Sequence, residues 1–148
     1  VARAPPVGHH RGVTAEVFEV SDLTDDERHV LARGLLEWGG PAHPTDALAA
    51  AMDFGDVETL YDEARRLRPL VRDGQPLTRQ DWRRLLVATE IVFASDIFGS
   101  GCDWYLTTGL TDEQTIRILR SLQRKIARAV PVHRADPQPA ARPPARPA

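Results

Sequence analysis

The stretch 85–98, LLVATEIVFASDIF, decides the predicted fold because it is apolar on nearly every side of a helix. A helix of that kind is buried at the centre of its domain, so we predict a central buried helix over 79–98. The run 13–20, VTAEVFEV, alternates imperfectly between apolar and polar residues. It is predicted to lie as a lone extended segment on the helices, because no second strand pattern offers it a partner.

Three helix starts share one local pattern, in which Leu is followed by Thr and then by polar residues. The threonines are Thr24, Thr78 and Thr111, and each can accept a hydrogen bond from the backbone amide three residues later. The pattern predicts an all-α fold, a single compact bundle of about five helices at 25–38, 46–53, 57–68, 79–98 and 112–129. Pro69 is expected to end the third helix, because proline removes a backbone donor and clashes with the preceding turn.

The two ends of the chain differ in composition from its middle. Residues 1–12 and 131–148 hold eight of the twelve prolines. We predict a disordered N-terminal tail and a disordered Pro/Ala/Arg tail around a helical domain at 13–130. The single Cys102 excludes a disulfide framework, and no apolar run approaches the ~20 residues of a membrane-spanning helix. No apolar core of a secretory signal is visible, so a soluble, cytoplasmic protein is expected.

The net charge of −2 conceals an uneven distribution along the chain. Residues 1–116 carry 11 basic and 20 acidic side chains, whereas residues 117–148 carry eight basic and one acidic. On the fifth predicted helix four arginines lie within about 80° of one another. These residues, the Arg row, are Arg117, Arg120, Arg124 and Arg128. The row is interpreted either as a solvated outer face or as a cationic strip for an acidic partner, a phosphate or RNA, since arginine makes bidentate contacts with carboxylates and phosphates.

The loop 99–110, GSGCDWYLTTGL, joins the last two predicted helices and places glycines around aromatic side chains. It is long for a connection between helices, and long ordered loops are disproportionately functional. Trp104 and Tyr105, next to Asp103, are predicted either to fold back and cap the bundle or to present a contact to a partner.

Two carboxylates, Glu90 and Asp96, lie among apolar neighbours in the central predicted helix. A buried carboxylate is costly unless it is paired and hydrogen-bonded. Six positions correspond to about 120° around a helix, so the two residues are not expected to form a dyad. They are interpreted either as paired structural groups or as carboxylates of a binding or catalytic site.

The segment 46–67 has the outline of a helix-turn-helix, with a short helix, a turn and a second helix. Such a motif would place its second helix in the major groove of DNA. That helix and the residue before it carry Asp56, Glu58, Asp62 and Glu63 ahead of the first arginine, which disfavours contact with phosphates.

These observations favour a small intracellular protein–protein interaction module of accessory, regulatory or immunity type, without chemistry of its own. No catalytic residue, metal site or cofactor is predicted, and no membrane contact is expected. One alternative is a nucleic-acid-binding regulator that uses the 46–67 corner or the Arg row. A second alternative is a small-ligand or catalytic domain with Glu90, Asp96 and Asp103 beneath the 99–110 loop. The sequence leaves the oligomeric state open.

Overall fold

The structure is a computed structural model that describes residues 14–131. Within that range the helices are α1 (Asp25–Glu37), α2 (Asp46–Ala51), α3 (Val57–Arg72), α4 (Arg79–Ala94), α5 (Trp104–Thr108) and α6 (Asp112–Ala129). A 3-10 helix spans Gly101–Asp103, and two short strands are β1 (Val17–Phe18) and β2 (Leu77–Thr78). The predicted all-α bundle is confirmed. The tails predicted at 1–12 and 131–148 lie outside the described residues, apart from Pro131.

The predicted helix starts are confirmed by their capping hydrogen bonds. The side chains of Thr24, Thr78 and Thr111 each accept a hydrogen bond from the backbone amide three residues later. At the first and third of these starts, Glu27 and Gln114 bond back to the amide of the capping threonine. Each cap contributes about 1 kcal/mol, which fixes where a helix begins.

Two helices end four residues away from the predicted positions. Helix α3 continues through Pro69 to Arg72, because Pro69 lies in the last turns and the buried Val71 holds the remaining turn against the core. Helix α4 ends at Ala94 rather than at 98, since Ser95 adopts an extended backbone. The chain then folds back, and the backbone amide of Ser100 donates a hydrogen bond to the Val92 carbonyl at 2.7 Å. This bond satisfies an acceptor at the end of α4.

Residues 17–18 are paired, contrary to the prediction that the segment 13–20 lies alone. Strands β1 and β2 are antiparallel, with Val17 opposite Thr78 and Phe18 opposite Leu77. The indole of Trp82 donates to the Phe18 carbonyl at 3.0 Å and ties this small sheet to α4. Strand β2 is two residues long and coincides with a helix-capping sequence, so it carries no alternating pattern of its own.

Helices α1 and α4 together form the centre of the bundle. Helix α4 contributes seven buried residues, and α1 packs against α3, α4 and α6. The third predicted helix, α3, packs mainly on α1 rather than on α4. At the α1–α4 contact, a Cβ added to Gly34 would lie 2.6 Å from Thr89 Oγ1. The indole of Trp38 donates to the carbonyl of Ala88 at 3.2 Å across the same contact.

The apolar side chains at helical spacing on α1 and α6 are mostly buried. On α1 these are Val30, Leu31, Leu35 and Trp38 just after its end, and on α6 they are Leu119, Leu122 and Ile126. Ile116 is the exception, because 49% of it is exposed at the first turns of α6.

Gly34→Ala is expected to lower the free energy of unfolding by about 1–3 kcal/mol, because the new methyl group meets Thr89. Helix propensity alone would give the opposite sign, because alanine is about 1 kcal/mol more favourable than glycine in a helix that has space for the methyl group. Chemical denaturation followed by circular dichroism measures the effect. Gly39→Ala is the control, since its Cβ would lie 3.7 Å from the nearest atom, the Leu36 carbonyl oxygen. A stabilising Gly34→Ala would mean that α1 and α4 lie farther apart than described.

Candidate functional site

The connection between α4 and α6, residues 95–110, is called the end segment. The sequence predicts a loop over most of it, whereas the structure contains the 3-10 helix and α5 there. Two glycines let it fold back on the end of α4. A Cβ on Gly99 would overlap the Val92 carbonyl oxygen, and Gly101 has a positive φ of 41° with its Cβ position against Asp96. The backbone of this segment is therefore fixed by close contact with the helix it leaves.

A buried carboxylate on α1, that of Glu37, anchors the end segment. Its Oε2 accepts hydrogen bonds from Ser100 Oγ at 2.6 Å and from Thr107 Oγ1 at 2.8 Å. Its Oε1 lies 3.1 Å from Arg33 Nε as an ion pair, although that N–H is not directed for a hydrogen bond. Charge-assisted hydrogen bonds are stronger than neutral ones, so the two hydroxyls hold both ends of the segment to α1.

Sequence reasoning missed Glu37, although a signal was present. Glu37 follows Val30 by seven positions and Gly34 by three, which places it on the buried face of α1. A carboxylate on such a face requires donors. Serine and threonine in a loop are common donors, but the sequence does not show which of them reach it.

Trp104 and Tyr105 were predicted to share one role, and the structure gives them different environments. Trp104 is fully buried, with its ring edge-on to Phe93 at 5.6 Å between centroids. Its indole N–H donates to Thr115 Oγ1 at 2.9 Å. Trp104 therefore caps the bundle, whereas 56% of the next residue, Tyr105, is exposed.

Four large apolar side chains of the end segment are exposed, and we call them the end patch. They are Ile97 (77% exposed), Phe98 (40%), Tyr105 (56%) and Leu106 (78%). The backbone that carries them is tied down, because the Phe98 carbonyl also accepts from the amide of His43 at 2.8 Å. Beside Tyr105 runs an open groove of about 640 Å³, whose lining residues include Phe93, Asp96, Cys102 and Asp112.

The stretch of the chain that carries the end patch has only acidic charges. The stretch 85–116 contains five acidic residues and no Lys, Arg or His. A hydrogen bond with Asp96, together with the negative charges of Asp96, Asp103 and Asp112, raises the pKa of the Cys102 thiol. The exposed thiol is therefore protonated at neutral pH, which makes it a poor nucleophile.

The prediction that Glu90 and Asp96 are buried is wrong. Glu90 is half-buried and accepts from Gln123 Nε2 at 2.6 Å. Asp96 is exposed, because α4 ends before it, and its Oδ1 accepts from the Cys102 amide at 3.0 Å. Asp103 is also exposed. The groove at Asp96 is lined by neither Glu90 nor Asp103, so the three carboxylates do not converge there.

The Arg row lies on the exposed face of α6, and its four arginines are all exposed. Arg128 is 3.3 Å from Asp22, and Arg120 donates to Gln123 at 2.8 Å. The neighbouring Lys125 is 2.8 Å from the buried carboxylate of Glu27. Part of the charge difference along the chain is thus compensated within the molecule, while Arg117 and Arg124 form no ion pair within residues 14–131.

The 46–67 corner is held together by its own charges. The Asp46 side chain accepts from the Val57 amide at 3.0 Å and so joins α2 to the start of α3. Of the first arginines on α3, Arg65 pairs with Asp62, and Arg66 pairs with Glu63 and Asp81. These arginines are already engaged with carboxylates, which leaves the corner with little free positive charge.

Glu37→Ala is expected to cost about 3 kcal/mol of stability, since it removes the carboxylate that pairs with Arg33 and accepts from the Ser100 and Thr107 hydroxyls. Hydrogen exchange should accelerate most at the amides of the end segment, because their anchor is removed. Glu37→Gln should cost less, since its carbonyl oxygen still accepts from the hydroxyls. Glu58→Ala, an exposed change on α3, is the control. Equal exchange rates in Glu37→Ala and the control would contradict the anchoring role.

Lys125→Met is expected to make stability less dependent on pH. Burial by itself raises the pKa of the Glu27 carboxyl. The carboxylate also accepts hydrogen bonds from Lys125, Ser121 and the Thr24 amide, and it is attracted to the charge of Lys125. These interactions outweigh burial, so the pKa of Glu27 is lowered overall. A carboxyl group whose pKa is lower in the native state than in the unfolded state stabilises the fold at pH values above its unfolded-state pKa. That stabilisation is lost as the pH falls through its native-state pKa.

The loss in this variant should be about 1–3 kcal/mol at neutral pH and should shrink below about pH 4. Denaturation at a series of pH values measures it. Arg124→Met, an exposed change on the same helix, should show no such trend. A constant difference across the pH range would contradict the assignment to Glu27.

None of the helices within residues 14–131 has the length and apolarity needed to span a bilayer. The same residues contain no group of three or more His, Cys, Asp or Glu side chains arranged to hold a metal ion. No known protein family, curated protein or solved structure matches this chain. Function is therefore inferred from its residues and their arrangement.

Proposed function

We propose that this protein is a protein-binding module whose docking surface is the end patch. The observation that carries the proposal is the exposure of Ile97, Phe98, Tyr105 and Leu106 on one short segment. Four large apolar side chains exposed within the ten residues 97–106 make this segment a candidate interaction surface, since such exposure is a feature of binding sites. Tyrosine is also enriched among the residues that dominate binding energy.

The anchoring of the end segment supports binding without a large ordering cost. Glu37 holds Ser100 and Thr107, and buried Trp104 fixes the start of α5. A surface that is already ordered loses little conformational entropy when a partner arrives. The buried groups are thus assigned to support, and the exposed neighbours Tyr105 and Leu106 to contact.

The charges around the end patch indicate the chemistry of the partner. Asp96, Asp103 and Asp112 lie near Cys102, and no basic residue occurs between 85 and 116. Complementary charge speeds association and excludes partners of like charge. The expected partner is a protein segment with an apolar anchor flanked by Arg or Lys, and a polyanion is disfavoured at this surface.

An accessory, regulatory or immunity-type role accords with a chain that binds without chemistry of its own. The cytoplasm accords with the exposed free Cys102, since free thiols persist in reducing compartments. Nucleic acid at the Arg row is the second candidate, favoured by the exposed Arg117 and Arg124, which form no ion pair with any residue from 14 to 131.

The test is selection of binders from a random peptide library on the immobilised protein, followed by affinity measurement with labelled selected peptides. We expect the peptides to combine aromatic or aliphatic residues with Arg or Lys. Leu106→Asp should weaken binding about tenfold or more, as expected for a contact worth over 1.4 kcal/mol. Val17→Asp is the control, because Val17 is another exposed apolar side chain and lies on β1, which joins β2 at the opposite end of α4.

Equal loss in both variants, or none in Leu106→Asp, would contradict the proposed surface. A concentration-dependent dimer that Leu106→Asp abolishes would replace the separate partner with a second copy of the chain.

A labelled DNA duplex tests the second candidate by fluorescence anisotropy at two salt concentrations. Binding that weakens steeply with salt and disappears when Arg117, Arg120, Arg124 and Arg128 are all changed to Glu would favour nucleic acid. We expect no such binding.

A further inference from the structure

A second surface feature, separate from the end patch, lies between α1 and α3. It is an open groove of about 350 Å³ whose lining residues include Leu35, Leu36, Tyr61, Ala64, Arg65 and Arg68. One part of its wall is apolar, and the other part carries two guanidinium groups. No residue of the end patch lines it.

Arg68 is the unusual group in this groove. Its Nε is buried and has no hydrogen-bond partner among residues 14–131. No carboxylate in that range forms an ion pair with it, in contrast to Arg66 two positions earlier, which contacts Glu63 and Asp81. Burial and the nearby charges of Arg72 and Arg33 lower the pKa of Arg68.

The groups around Arg68 do not neutralise it. Arg33 adds positive charge, and its own carboxylate partner, Glu37, already accepts hydrogen bonds from Ser100 and Thr107. Arg65 is paired with Asp62 on the exposed side of α3, where both side chains are mostly solvated. A buried donor without an acceptor and a partly desolvated cation both oppose folding. An anion in the groove would offset the second cost, because it would place a negative charge beside the Arg68 guanidinium.

We propose that the α1–α3 groove binds a small organic oxyanion, a carboxylate or a phosphate that carries a short apolar group. The guanidinium of Arg68 would receive the oxyanion, because its planar array of donors matches two oxygens of such a group. The apolar group would lie against Leu35, Leu36 and Ala64. A mostly apolar wall with a small number of polar or charged groups is a common design of small-molecule sites.

Thermal unfolding with three probes at matched ionic strength tests the proposal. The probes are butyrate, its neutral analogue butyramide, and inorganic phosphate. Butyrate should raise the melting temperature of the wild type with a saturable dependence on concentration, as expected for a ligand that binds the native state. Butyramide should not, because it lacks the charge. A larger response to phosphate than to butyrate would assign the oxyanion to the phosphate class.

Arg68→Met should abolish the response to either anion and should leave the protein at least as stable as the wild type without anion. Arg117→Met is the matched control on α6 and should respond as the wild type does. Amide chemical-shift changes on addition of butyrate should map to α1 and α3.

If Arg68→Met does not fold, Arg68→Lys retains a charge but loses the two-oxygen geometry, and it should bind butyrate at least tenfold more weakly. An undiminished response in the Arg68 variants, or an equal response to butyrate and butyramide, would overturn the proposal.

Discussion

The close packing of α1 on α4 is the constraint on which the rest of the structure depends. Gly34 leaves no space for even a Cβ beside Thr89, so the two helices lie in a fixed register at that point. Trp38 then reaches the Ala88 carbonyl one turn farther along α1. This register also places Glu37 opposite the end of α4, where Ser100 and Thr107 bind it. The shape of the end patch is thus set by helix packing at the core.

Features that depend on local sequence were predictable, and those that depend on distant partners were not. The caps at Thr24, Thr78 and Thr111 were found because each involves residues three positions apart. The β1–β2 pair was missed because its strands are about 60 residues apart and only two residues long. The end of α4 was misplaced because the apolar run continues through Ile97 and Phe98, whose side chains turned out to be exposed.

The same distinction between local and distant interactions applies to the candidate site. The sequence drew attention to the end segment through Trp104 and Tyr105. These residues are adjacent on α5, and the difference of one helical position buries Trp104 and exposes Tyr105. Arg68 gave no signal in the sequence, because an arginine on a charged helix resembles its paired neighbours Arg65 and Arg66. Only the positions of surrounding carboxylates distinguish it, and these come from several helices.

The chain contains one cysteine, and its position makes it a natural site for covalent labelling. Cys102 is exposed and lines the groove beside Tyr105, so a fluorophore attached there would sit next to the end patch without any engineered residue. The neighbouring carboxylates that disfavour its thiolate also make alkylation slow at neutral pH and faster in alkaline buffer. Protection of this thiol from a maleimide would therefore report directly on occupancy of the surface.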